Sequence, residues 1–461
     1  MAVFCFGPLP RESARVAITS VKQKYAVAEM IRLIAGSPFR VQPFCPVFGT
    51  CGGCQLQHLS YPAQLAWKRD VVRNALTRIG GFDGVQVRDT IGAIVPRAYR
   101  NKMSLVVEHR TGAPAIGFYK QRSHDVVPID DCPIVLPQLG DYISRLNAAR
   151  LDDEIAPAFA QARHIVARAS RATGQATLTV TTPHASEDVA AAAPALKARL
   201  PGVAGVTNSF DPSSDNAILG RKLRVLAGAR EIEETIAGIR YRISPASFFQ
   251  VNVEIVSRIF EFMKRGLNVP RRVVDLYCGA GTFALFFAKH GCDVFGIEEN
   301  AAAAEEAGAN AELNGLQERV TVQTGRVEEL VRSGAARDAL RRAQIVFLDP
   351  PRKGSDEATL GAVAAAGVPN VWYLSCDPAT LARDLKFLTA KGYRFGVVQP
   401  FDMFPQTGHV ETLVTLYSEA GAARITVEDA FEGAPPPAAW PADDRFAHDR
   451  PEYPDFVIRE D

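Results

Sequence analysis

The chain has 461 residues, of which 47% are hydrophobic and 22% charged. That is ordinary globular composition with enough apolar residues for several cores, and it excludes a collagen-like, a coiled-coil and a wholly disordered chain. The formal net charge of +1 hides an asymmetry: residues 1–130 carry 17 Lys/Arg against 8 Asp/Glu, and residues 419–461 carry 11 Asp/Glu against 4 Lys/Arg. A basic front end suits a polyanionic partner, and it equally suits a plain solvated surface.

No run of 18 apolar residues occurs, so no membrane-spanning helix is expected. The first ten residues have no basic leader and no long apolar core, so no signal peptide is expected and the cytosol is the expected compartment. There, eight cysteines point to metal or catalysis before disulfides.

Residues 9–41 alternate (Ala14-Arg15-Val16-Ala17-Ile18) and read as short strands. Residues 44–60 are rich in Cys, Gly and Pro without periodicity, whereas Leu65, Val72, Leu76 and Ile79 recur at near-helical spacing across 61–80. Residues 98–130 and 160–245 hold β-type runs with Ala-rich helical stretches between them. From 271 onward, strand candidates at 273–276, 293–297, 320–323, 345–348, 371–374 and 395–398 alternate with helices, notably 301–314 and 379–388. This alternation predicts a mostly parallel sheet with helices on both faces. Residues 420–461, with Pro435-Pro436-Pro437 and excess acid, are expected to be largely disordered.

Cys45, Cys51 and Cys54 form C-x5-C-x2-C, and Cys132 follows far downstream. Gly49, Gly52 and Gly53 let the backbone wrap so that thiolates can converge. Four thiolates suit a [4Fe–4S] cluster or a tetrahedral zinc, the latter also possible with His58 in place of Cys132. The unequal spacing leans toward the cluster, and free buried thiols remain the plain alternative.

Residues 273–283, VVDLYCGAGTF, read as strand, glycine turn and helix start. Gly279 and Gly281 would let a ligand approach the backbone near a helix N-terminus, and Glu298, 19 residues after Gly279, could accept from ribose hydroxyls. The same pattern fits a nicotinamide dinucleotide. Asp349-Pro350-Pro351 at a later strand end tips the reading toward S-adenosylmethionine enzymes acting on planar bases; a Pro-rich strand exit is the alternative. Tyr373-Leu374-Ser375-Cys376-Asp377-Pro378 ends another strand just before a helix. Cys376 should there feel helix-terminus potential that lowers its pKa, although a small buried thiol is the commoner fate. Glu411, entering a final strand after Gly408-His409, would ordinarily be solvated.

With these motifs in view, the chain from about Leu9 to Tyr417 resembles the RNA 5-methyluridine methyltransferases, in particular the iron–sulfur branch typified by a bacterial 23S rRNA enzyme. The shared runs are CGGC, FFQVN at 248–252, DLYCGAGTF, LDPPRKG, SCDPATLARD and FPQTGHVE. The resemblance implies a Rossmann-like α/β methyltransferase domain, a central α+β domain and a partial N-terminal TRAM-like β segment. It implies Cys376 as nucleophile at carbon 6 of uracil and Glu411 as the base that takes the carbon 5 proton. Gln250, Tyr277, Gly279, Gly281, Thr282, Glu298 and Asp349 would line the S-adenosylmethionine and uracil site. Cys45, Cys51, Cys54 and Cys132 would hold a [4Fe–4S] cluster, and RNA would be the partner, with no membrane and no obligate protein partner.

The expected division is 1–42 TRAM-like, 43–96 cluster segment and helix, 97–260 central RNA-binding domain, 261–418 methyltransferase domain and 419–461 tail. Arg97, Arg100, Lys102, Lys120, Arg122, Arg352 and Lys353 are candidates for phosphate contacts. The chain departs from the family in three places. Only the later half of the TRAM barrel is recognisable, so the barrel is expected to be incomplete or to begin late. Arg326 stands where an adenine-contacting residue is usual, and the acidic tail has no counterpart. Competing readings are an exocyclic-amine methyltransferase, a tRNA-specific enzyme, a non-catalytic iron–sulfur RNA-binding protein and a nicotinamide-dependent oxidoreductase.

Overall fold

A computed structural model describes residues 2–110, 114–211, 218–267, 271–332 and 334–418. The tail expected to be disordered lies outside them. Strands β1 (Ala2–Phe6), β2 (Ser13–Val21) and β3 (Tyr25–Ala35) form a three-stranded sheet in the order β1-β3-β2. It leaves Phe4, Phe6, Ile18, Val21, Ile31 and Ile34 exposed. The cysteine segment follows without regular structure, then helix α1 (Tyr61–Ala75), which passes into a π-turn at Leu76–Gly80 and ends on left-handed Gly81.

A seven-stranded sheet occupies the middle of the chain. Its strands are β4 (Lys102–Glu108), β5 (Ala115–Tyr119), β6 (Val126–Pro128), β7 (His164–Ala169), β8 (Ala176–Thr181), β9 (Val203–Phe210) and β10 (Lys222–Gly228), in the order β10-β9-β8-β7-β4-β5-β6. Only β8 and β9 run parallel, joined through the helix Glu187–Arg199. Leu139, Ile143 and Leu146 of the helix Pro137–Ala149 pack on this sheet with Leu105, Ile165 and Leu178. A hairpin, β11 (Ile232–Ile236) and β12 (Ile239–Ile243), leads to the last sheet.

The last sheet contains β13 (Arg272–Leu276), β14 (Asp293–Glu298), β15 (Val320–Thr324), β16 (Ile345–Leu348), β17 (Asn370–Ser375), β18 (Tyr393–Phe401) and β19 (Glu411–Ser418). The order is β15-β14-β13-β16-β17-β19-β18, parallel as far as β17 and antiparallel over the last two pairings. This is a Rossmann-like arrangement, and each predicted strand is found close to its expected place. Period-two alternation splits the strands between two cores. Val273, Phe347 and Trp372 face one core with Phe260, Phe283 and Phe287, while Val274, Val346 and Tyr373 face the other with Leu381 and Leu385. Residues ahead of the central sheet reach the far edge of this one: Val87 and Ile91 bridge Val398 and Phe401 of β18.

Gly296, in register with Asp275 across β13 and β14, shows how tightly the sheet supports the turn that follows it. A Cβ there would lie 2.8 Å from the Sγ of buried Cys278. Overpacking of this kind costs about 1–3 kcal/mol, so Gly296→Ala should lower Tm in a thermal melt. Gly361→Ala is the control, because its Cβ would meet only the Phe387 ring at 3.9 Å and helical Ala outranks Gly. An unchanged Tm for Gly296→Ala would show that the turn yields freely.

Candidate active site

Three turns at the carboxyl ends of β13, β16 and β17 enclose one cavity of about 540 Å³. In the first, Tyr277, Gly279 and Gly281 all take positive φ, at 69°, 55° and 86°. Nothing lies within 4 Å of a Cβ on Gly279, so that position is open toward the cavity, whereas one on Gly281 would press Ala307 at 3.2 Å. The Glu298 carboxylate, at the end of β14, accepts from the Gly279 N–H at 2.9 Å and the Asn300 N–H at 2.8 Å. The turn is therefore pinned to the neighbouring strand end.

The second turn carries Asp349-Pro350-Pro351-Arg352 and is held from beneath. Buried Asp384 accepts from the Ser355 N–H at 2.8 Å and from the Tyr373 hydroxyl at 2.6 Å. Arg383 donates to the Lys353 carbonyl at 2.9 Å, and the Tyr277 hydroxyl meets the Ser355 hydroxyl at 3.1 Å. The third turn carries Cys376. Asp377, the next residue, caps the following helix by accepting from the Ala379 and Thr380 N–H groups.

Gln250, Tyr277, Gly279, Thr282, Glu298, Asp349, Cys376 and Glu411 all line this cavity, together with Arg352 and Lys353. Gly281 is not in the lining; it starts the helix Thr282–Lys289 behind it. Glu411 opens β19, a position expected to be solvated, yet it is buried and one of its oxygens has no hydrogen-bond partner. Arg326 also lies outside the lining, its guanidinium turned to Glu328 and Glu329.

The electrostatics correct one expectation. The Cys376 thiol is not lowered by the helix terminus but pushed up to about 11, first by burial, then by the Glu411 and Asp349 carboxyls, with Arg352 opposing. The helix N-terminus is already satisfied by Asp377, which leaves little positive potential for the thiol. Burial likewise raises Asp349 to about 7, and burial, then the Asp349 charge, holds Glu411 well above the usual carboxylate range against the opposing Arg352.

Two further residues stand in the quoted motifs with no role assigned to them from the sequence. Asp275, in the middle of β13, lines the cavity with both carboxylate oxygens buried and unpaired, and burial with Asp349 and Glu298 nearby drives its pKa up. The signal was an acid inside an otherwise apolar parallel strand, where charge is rarely kept without a use. Phe248 stands at the rim, 72% exposed among buried neighbours. Taken together the cavity offers Asp275, Glu298, Glu299, Glu328, Asp349 and Glu411 against Arg352 and Lys353, which favours an organic cation with a polar end. Unpaired buried carboxylates and an open glycine turn fit the ammonium, sulfonium and ribose of S-adenosylmethionine.

A second cavity, of about 460 Å³, is lined by Cys45, Cys51, Cys54 and Cys132 with Arg100, Lys102, Lys120 and Arg122. Burial raises Cys54 to about 12 and Cys132 to about 11, and the four sulfurs lie near enough to influence one another's ionisation. Among the described residues no three His, Cys, Asp or Glu side chains close on a point as they would around a single metal ion. Arg97 stacks 3.7 Å over the Phe44 ring centroid instead of projecting freely. No helix among the described residues is long and apolar enough to cross a membrane.

Comparison with known proteins agrees with this geometry. The family model for tRNA (uracil-5-)-methyltransferases matches residues 221–419. A protein of Halalkalibacterium halodurans described as an uncharacterised RNA methyltransferase is 37% identical over 429 residues, covering 90% of this chain and 92% of its own. One from Thermosynechococcus vestitus with the same description is 37% identical over 424 residues, at 90% and 92% coverage. Among solved structures, the Pyrococcus abyssi tRNA (uracil-54, C5)-methyltransferase in complex with S-adenosyl-L-homocysteine superposes with a TM-score of 0.70 at 26% identity, covering 90% of this chain and 95% of that one. The chain belongs to the RNA uracil-5-methyltransferase family, whose members take their methyl group from S-adenosylmethionine. The nicotinamide reading of the glycine turn falls with that assignment.

The raised thiol gives a direct test. In the free protein, alkylation of Cys376 by iodoacetamide, followed by peptide mass spectrometry, should be slow at neutral pH and climb toward about 11. Asp349→Asn removes a repelling charge and should move the profile to lower pH, while Arg352→Ala should move it higher. Profiles that coincide would mean these charges do not reach the sulfur.

Proposed function

We propose that the protein methylates carbon 5 of a uridine in 23S rRNA, with Cys376 as nucleophile and Glu411 as proton acceptor. One observation carries the reading: the Cys376 thiol and the Glu411 carboxyl open onto the same cavity as the glycine turn and Glu298. Carbon 5 of uracil is too weak a nucleophile to take a methyl group unaided. The Cys376 sulfur, once deprotonated, bonds to carbon 6 and leaves electron density at carbon 5. The bound cofactor supplies an electrophilic methyl carbon on a sulfonium. After transfer, Glu411 removes the carbon 5 proton, the carbon 5–carbon 6 double bond re-forms and the Cys376–carbon 6 bond breaks.

The chain's own groups set the conditions for this sequence. In this reading Glu298 would take the ribose, Asp275 and Asp349 the cationic end, and Gln250 the base edge. A cation among these carboxyls would favour their ionised forms and lower the cost of the Cys376 thiolate. Phe248 at the rim offers a stacking face for an unstacked base.

The cysteine cavity supports a [4Fe–4S] cluster held by Cys45, Cys51, Cys54 and Cys132. What supports this reading is that the four sulfurs line one cavity and lie near enough to influence one another's ionisation. The cluster would brace the segment and has no step in methyl transfer. The small sheet of β1 to β3 we read as the TRAM-like part of an RNA-holding surface.

Cys376→Ala should abolish methylation while cofactor affinity, measured by calorimetry, is kept. Glu411→Gln should accumulate an RNA–protein adduct that survives denaturing electrophoresis, because proton removal precedes release. Turnover by the first variant, or free RNA with the second, would remove that residue from its role. Cofactor binding should release protons, since arrival of a cation ionises carboxyls that burial keeps protonated. Its affinity should therefore fall as pH is lowered, and its apparent enthalpy should vary with the buffer's ionisation heat. Mass-spectrometric mapping of 5-methyluridine in rRNA and tRNA from cells with and without the gene tests the target; a lost tRNA site with intact 23S rRNA would redirect the assignment.

A further inference from the structure

Helix α1 carries a polar stripe where an apolar one is usual. Tyr61, Gln64 and Lys68 stand at i, i+3 and i+7, which puts them on one face. Gln64 and Lys68 are buried, and the side chains of Lys68 and Asp402 are both 0% exposed. All three side chains reach one stretch of chain, residues 402–406, immediately before the segment that ends in Glu411, while Gln64 Nε2 also donates to the Leu56 and Leu59 carbonyls and the Tyr61 hydroxyl also accepts from the Ala93 N–H.

The contacts are specific. Lys68 Nζ donates to Asp402 Oδ1 at 2.5 Å and to the Phe404 carbonyl at 3.0 Å. The Tyr61 hydroxyl donates to Asp402 Oδ2 at 2.9 Å. Gln64 Nε2 donates to Gln406 Oε1 at 3.0 Å, while Gln64 Oε1 accepts from the Gln406 N–H at 3.2 Å. Gln406 takes a φ of 71°, strained for a non-glycine residue, and its carbonyl accepts from the Gln55 and Leu56 N–H groups. Phe404 and Glu411, on either side of this node, line the catalytic cavity.

A buried ion pair is a poor way to gain stability, since an apolar pair of similar volume often does as well or better. What the pair does provide is direction: both lysine bonds and the tyrosine bond fix where the backbone leaves β18. We propose that Lys68, with Tyr61 and Gln64, is a positioning residue for methyl transfer. It clamps residues 402–406 so that the chain delivers the Glu411 carboxyl to the Cys376 side of the cavity. The inference rests on the reading of Glu411 as proton acceptor. It makes proton removal, and not cofactor binding or thiol attack, the step that depends on α1.

The test compares Lys68→Met, the double variant Lys68→Met/Asp402→Leu, and Glu411→Gln. Removing both charges leaves no unpaired ion, so the double variant should melt near the wild type. It should still lose turnover by roughly 100-fold, the size expected when a reacting group drifts by about 1 Å. Cofactor affinity should hold, and the RNA–protein adduct should persist on denaturing gels as it does for Glu411→Gln. Should neither Lys68 variant fold, Tyr61→Phe removes one donor to Asp402, keeps both charges, and should lengthen adduct lifetime in the same way. Wild-type turnover with no lasting adduct in the folded variants would overturn the proposal. If Glu411→Gln itself traps nothing, the role of Glu411 fails; if it traps and the α1 variants do not, only the clamp fails.

Discussion

Carboxyl groups and a thiol crowded into one buried cavity form the constraint on which the rest depends. Asp275, Asp349 and Glu411 share the cavity with Cys376, and burial raises the pKa of each of these groups, neighbouring carboxyls adding to it for Asp275, Glu411 and the thiol. In isolation burial favours the protonated forms of Asp275, Asp349, Glu411 and the thiol. A cation introduced among them opposes this, so in the proposed mechanism a bound sulfonium would ease formation of the thiolate. In the proposed mechanism, reactivity would thereby follow cofactor occupancy without any moving part.

Holding that crowd together falls to polar side chains in and behind the cavity wall. Asp384 and Tyr373 carry the Asp-Pro-Pro turn, Glu298 carries the glycine turn, and the α1 stripe carries the approach to β19. Each support is a hydrogen-bonded polar side chain that is buried or half-buried. Such groups are expensive to bury and pack no better than hydrocarbons, so their yield is geometric.

Much of this was legible in the residues. The alternation of apolar runs after residue 271 led to a parallel sheet because strands buried on both faces need continuous hydrocarbon. The glycine turn, the Asp-Pro-Pro exit and the Ser-Cys-Asp-Pro exit were visible because each breaks a strand in a way that only a strand end tolerates. The thiol's ionisation was misjudged. A helix terminus is a local feature that sequence displays, whereas the approach of Glu411 and Asp349 is a tertiary one. Lys68 was invisible for the same reason, since its partner lies 334 residues away. Asp275 could have been caught: an acid flanked by Val274 and Leu276 in a buried strand is a local anomaly.

The bridges from Val87 and Ile91 to β18 have a consequence of another kind. An outermost strand offers bare amides and carbonyls to any chain that passes, and sheets with open borders tend to stick to one another. Here the backbone of residues 87–91 occupies that border, with the Arg88 and Ile91 N–H groups donating to the Val398 and Pro400 carbonyls. The stretch that follows the cysteines thus works as a selvedge for the methyl-transfer half. Trimming the front of the molecule would fray that border and invite self-association before it touched the chemistry.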